Sequence, residues 1–100
     1  MVVGAGVFEL TDDAIEHRTA FGRCRMPWRD IRRIECGIGG TLVLHGDDKR
    51  FVVSPPAMWS GRQKPEAFGM FRRKLEELGV VFYPSNVADY KINRNVRVRE

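Results

Sequence analysis

Cysteine is scarce: Cys24 and Cys36 are the only two in 100 residues. Two thiols cannot make the disulfide framework of a small secreted domain, so the chain reads as reduced and cytosolic. Long apolar runs are missing too. No segment approaches the ~20 apolar residues that a membrane-spanning helix needs. The amino end, Met1 to Phe8, is apolar but short, with no basic stretch before it and no cleavage site behind a long apolar core, so it is not read as a signal peptide. The motifs of catalysis are also absent. There is no G-x-S-x-G, no glycine-rich phosphate loop and no H-E-x-x-H, and Gly4-x-Gly6 is a fragment with no helix behind it. Neither an internal repeat nor a low-complexity tract occurs. These absences argue against most enzymatic readings and leave binding roles.

The composition that remains is that of a folded domain. The chain is 43% hydrophobic and 30% charged, enough for one modest core and no more. Seventeen basic against thirteen acidic residues give a formal charge of +4, a mild excess that raises the question of an anionic partner.

Short strand-like runs between turn signals fill the first half. Gly6 to Leu10 is closed by Thr11-Asp12-Asp13. Ala14 to Ala20 leads through a turn at Phe21-Gly22 into Arg23 to Trp28, where Pro27 cannot donate to a central ladder. Asp30 to Cys36 ends at the flexible Gly37 to Gly40. Thr41 to His45 and Lys49 to Ser54 flank Gly46-Asp47-Asp48, a hairpin signal. Six short strands so spaced predict an antiparallel sheet that curls or sandwiches. Ser54 to Gln63, with two prolines and a glycine, reads as a loop.

The period then changes. Phe68, Phe71, Leu75 and Leu78 recur at helical spacing, Pro65 suits a first turn, and Gly79 suits a C-terminal cap. The predicted helix runs from about Pro65 to Leu78, and its apolar face must cover the sheet. Val80 to Tyr83 is too apolar for water and reads as a last short strand. Pro84 to Glu100 is polar, with a weak alternation at Val96 and Val98. The expectation is one domain over residues 1–84 and a basic tail over 85–100, loose unless it docks. The fold class is α+β, mainly β: an antiparallel, strongly bent sheet or partly open barrel capped by one C-terminal amphipathic helix.

Three stretches carry a family resemblance: FELTDDAIEHRTAFG from Phe8, MPWRDIRRIE from Met26, and GGTLVLHGDDKRFVVSP from Gly39. Together with the helix they resemble a bacterial pleckstrin-homology-like (PH-like) domain over about Val7 to Leu78. The resemblance implies a bent antiparallel barrel of seven strands capped by a helix, and a binding role. Two departures stand out: six strands precede the helix, and a strand-like segment follows it. Related domains are often attached to transmembrane helices, so the chain is expected to be either free-standing or an excised cytoplasmic portion.

Four groups of residues invite chemistry. His17, Cys24, Cys36 and His45 have metal-ligand side chains, but their spacings fit no short-range ligand pair, so no metal and no cofactor is expected. Either cysteine could in principle pair with a histidine for nucleophilic catalysis. Strand alternation, however, turns Cys24 away from Arg23 and Arg25 and toward the core with Met26. A structure without a pocket joining a cysteine to a histidine would close the enzymatic reading.

The basic cluster is the third group. Arg18, Arg23, Arg25, Arg29, Arg32 and Arg33 fall within sixteen residues, with Asp30 the only acid between them. Arg23 and Arg25 share a strand face, and Arg18 lies across the turn, so Arg18, Arg23, Arg25 and Arg29 are candidate ligands for an anion or a lipid headgroup. The plainer reading is a solvated face with salt bridges to Glu9, Glu16 and Glu35. The Arg18…Arg23-x-Arg25 pattern loosely resembles the basic hairpin with which eukaryotic PH domains hold lipid.

The fourth group is Met58 and Trp59, at the tip of a Pro/Gly loop. Trp59 is either an exposed anchor for a partner or a plug in the barrel end beneath the helix; Trp28 reads as core. Charge alone leaves nucleic acid open, but no nucleic-acid-binding motif occurs. The leading expectation is a non-enzymatic module for a protein partner or for itself, with a homo-oligomer formed through an open sheet edge. The alternative is peripheral binding to an anionic membrane surface at the cytoplasmic face.

Overall fold

A computed structural model of the chain describes residues 7–19, 22–84 and 95–98. The Met1 to Gly6 end, the first half of the Phe21-Gly22 turn and the tail residues 85–94 and 99–100 lie outside the described residues.

Among the described residues, eight strands form two four-stranded sheets, with one α-helix. In chain order the strands are β1 (Val7–Leu10), β2 (Ala14–Thr19), β3 (Gly22–Pro27), β4 (Arg33–Cys36), β5 (Leu42–His45), β6 (Arg50–Val53), β7 (Val81–Pro84) and β8 (Asn95–Val98); the helix, α1, is Lys64–Leu78. The first sheet has the order β3-β2-β1-β8 and the second β6-β5-β4-β7. Antiparallel ladders join β1 to β2, β2 to β3, β4 to β5 and β5 to β6. The two strands after the helix add in parallel, β7 on β4 and β8 on β1. The fold is thus mainly β, as expected, but its sheets are mixed and do not close into a barrel. The helix is followed by two strands because each sheet offers one more unpaired edge.

Local chemistry accounts for the first hairpin. The Thr11 hydroxyl oxygen accepts from the Asp13 and Ala14 backbone N–H groups at 3.2 and 3.1 Å, a side-chain turn that aims β2 back along β1. The third strand stops at Pro27, and Trp28–Asp30 forms a short 3-10 turn. There the buried Trp28 indole donates to the Thr11 carbonyl at 2.8 Å, tying the two ends of the motif together. Gly46 N–H donates to the Lys49 carbonyl to close the β5–β6 turn.

The core lies between the sheets and under the helix. Phe8, Leu10, Ile15, Met26, Ile34 and Leu44 are fully enclosed. On α1 the buried residues are Ala67, Phe71 and Leu75, while Phe68, expected on the buried stripe, sits at its exposed margin. The helix lies against β8, β1 and the Trp28–Asp30 turn, with Phe71 between Trp28 and Trp59 at ring separations of 6.0 and 5.3 Å. Gly79 ends it with a left-handed φ of 61° and an N–H bonded to the Leu75 carbonyl.

Candidate binding surfaces

The outer face of the first sheet gathers half of the basic cluster, Arg18, Arg23 and Arg25. Register places Arg18 opposite Arg23, and it aligns Arg25, Glu16, Glu9 and Arg97 in one row across four strands. Both carboxylates are almost fully buried, beneath arginine side chains that stay 41–59% exposed. Arg18 lies 3.7 Å from Glu9, and Arg23 and Arg25 lie 3.6 and 3.8 Å from Glu16. Arg97 donates to the second Glu9 oxygen. The alternation of β1 and β2 puts the two acids outward, and the apolar stems of the arginines then cover them. Four guanidinium groups carry about twenty N–H donors, against about eight acceptor positions on two carboxylates. Donors therefore remain for water or a partner.

Arg29 does not join this face. It stands on the Trp28–Asp30 turn and, with Arg25, borders a cleft of about 360 Å3 that Asp12, Asp13, Pro27 and Trp28 also line. Asp12 in that cleft accepts from Lys74 Nζ at 2.8 Å, and this hydrogen bond, then the ammonium charge, holds its carboxyl below the usual value. Sequence reasoning missed Arg97, because β8 read as a loose tail; the Val96/Val98 alternation was the signal available.

Cys24 departs from expectation. It is on the Met26 side of β3, as alternation requires, yet it is exposed, because that end of the hairpin runs past the core. It lies opposite His17 on β2, and the two side chains line a cavity of about 160 Å3 with Arg50, Phe51 and Val52. A pocket joining a cysteine to a histidine therefore exists, at the corner where β3 and β6 diverge. Cys36 is half-buried. Among the described residues lining the cavity there is no carboxylate. Among the described residues no three potential ligands cluster as a metal site would need.

The outer face of the second sheet holds a different group. His45 Nε2 lies 2.8 Å from Glu35 Oε1, so Glu35 pairs with histidine rather than with the arginine cluster. Tyr83 packs near the His45 ring, and the Arg33 guanidinium stands 5.6 Å from the Tyr83 ring centre, which fastens β7 to β4.

Met58 and Trp59 separate. Met58 is half exposed, whereas Trp59 is 2% exposed, its indole donating to the Ser54 carbonyl at 3.0 Å. Of the two placements open to Trp59, the plug beneath the helix is the one adopted, and its indole offers a partner no surface. The four sheet edges also differ. On β8 the N–H groups of Val96 and Val98 already donate to Ser60 O and Gln63 Oε1. On β3 the Arg25 carbonyl accepts from Lys49 Nζ, and β6 opens on a charged Arg50. The remaining edge, β7, has no charged residue and exposes Val81 (68%) and Phe82 (50%).

The described residues form two mixed sheets and one α-helix, with ligand-sized clefts at the surface. The bacterial PH domain family matches residues 8–62, and the chain belongs to that family. The match takes in the Thr11 turn, the Pro27-Trp28 step and the β5–β6 hairpin. No curated protein and no solved structure matches the chain. Among the described residues no helix is long and apolar enough to cross a membrane.

Proposed function

We propose that this domain is a non-enzymatic, cytoplasmic interaction module that associates with a second copy of itself by strand addition at β7. The supporting observation is that β7 is the uncharged sheet edge, with Val81 and Phe82 left in water. Unprotected apolar edges of this kind pair readily with another strand. Met58, half exposed, is a secondary anchor in this reading. Size-exclusion chromatography with light scattering tests it. The wild type is expected to form a discrete oligomer that persists in high salt, and Val81→Lys is expected to shift it to monomer. A strict monomer at high protein concentration refutes the reading.

The arginine face supports a second reading, peripheral attachment to anionic lipid headgroups. Four arginines less two glutamates leave two net charges on that face. At about 1 kcal/mol per basic charge near an acidic surface, this contributes about 2 kcal/mol, roughly thirtyfold in partitioning. Sedimentation with acidic vesicles should show binding that salt weakens and that Arg23→Ala with Arg25→Ala reduces. Equal retention of wild type and double variant removes this reading.

A further inference from the structure

The cleft beside the Trp28–Asp30 turn has an unusual charge arrangement. Its rim carries two acids, Asp12 and Asp13, and two bases, Arg25 and Arg29. One of each sign is already engaged, Asp12 by Lys74 and Arg25 by Glu16. Among the described residues, the side chains of Asp13 and Arg29 make no ion pair or hydrogen bond, although both line the same cleft. Opposite charges on one cleft would ordinarily pair, yet these two do not, and the backbone beneath each is held in place. Asp13 is fixed by its N–H to the Thr11 hydroxyl oxygen and its carbonyl to the Trp28 N–H. The Arg29 carbonyl, in turn, accepts from Arg32, whose guanidinium also binds Asp47 on the β5–β6 turn. Pro27 and the buried Trp28 supply an apolar wall. At about 360 Å3 the cleft is within the range of small-molecule sites.

We infer that this cleft binds a small zwitterion, a molecule with a carboxylate at one end and an ammonium at the other. Its carboxylate pairs with Arg29, its ammonium pairs with Asp13, and the methylenes between them lie along Pro27 and Trp28. A simple anion would meet the two acids, and a simple cation would meet the two arginines, so only a ligand of both signs is matched throughout. This site is separate from β7 and shares only Arg25 with the arginine face.

The test is a heteronuclear NMR titration of the full chain with 4-aminobutanoate, followed at the Trp28 indole N–H, with the Trp59 indole N–H as internal reference. Butanoate and butylammonium are the single-charge controls. The expected result is a saturable shift of the Trp28 signal, with each control weaker by about two- to fivefold, since one exposed ion pair accounts for at most about that factor. Asp13→Asn and Arg29→Ala should each weaken the zwitterion by a similar factor while leaving the rest of the spectrum in place. Absence of saturation, equal binding of butanoate, or unchanged affinity in both variants overturns the proposal.

Discussion

Replacing Trp59 is the sharpest probe of how the helix is held on the sheets. Its ring is enclosed, packs against Phe71 at 5.3 Å, and satisfies the carbonyl of the buried Ser54. Trp59→Ala removes the ring and leaves a cavity beneath α1, at a cost of about 3–5 kcal/mol. Trp59→Phe keeps most of the volume but removes the indole's hydrogen bond to the buried Ser54 carbonyl, a loss of about 1–3 kcal/mol. Domains of this size are stable by only about 5–15 kcal/mol, so the alanine variant should lose a large share of that stability. The phenylalanine variant should melt roughly 5–20 °C lower. Met58→Ala, at the neighbouring half-exposed position, should change stability by less than about 0.5 kcal/mol. Urea denaturation followed by far-ultraviolet circular dichroism separates the three, because that signal does not depend on the indole itself. If Trp59→Ala cost no more than Met58→Ala, Trp59 would be a surface residue and the account of the helix packing would be wrong.

Three further outcomes follow from the geometry. Arg97→Ala, which removes a charged hydrogen bond to buried Glu9, should cost about 1–2 kcal/mol and make β8 easier to cleave in limited proteolysis; unchanged melting and proteolysis would mean that β8 docks through Val96 and Val98 alone. Gly61→Ala should be worse than Gly79→Ala by thermal melting. Both residues have positive φ, which costs about 1–2 kcal/mol for alanine, but at Gly61 a methyl group would also lie 3.1 Å from the Val96 carbonyl, whereas Gly79 opens on empty space. Asp12→Asn should lower stability at neutral pH. Lys74 depresses the folded-state pKa of Asp12 below 3.8, so the pair's contribution is present above that value and fades as pH falls through the folded-state pKa. A deficit that persists unchanged at acid pH would assign the loss to something other than the charge of Asp12.

Much of the fold was legible because it follows from local chemistry. The Thr11 turn, the break at Pro27, the Gly46 hairpin and the cap at Gly79 each depend on what a few neighbouring residues can do with their own backbone. Alternation likewise put Arg23 and Arg25 on one face of their strand and Cys24 on the other with Met26. Arg18 and Arg23 were placed as cross-strand neighbours by the same periodicity.

Other features depended on contacts between distant segments. Nothing local distinguishes two outward glutamates in water from a pair roofed by four arginines, three from the hairpin and one from a strand almost ninety residues away. Nothing local exposes Cys24, since alternation fixes the side of a strand but not where the opposing sheet ends. The fate of Trp59 turned on whether a loop folds back under a helix, and the mixed sheets on which edges remained open when β7 and β8 arrived. Periodicity assigns each side chain a direction; only the packing of one segment on another decides what it meets there.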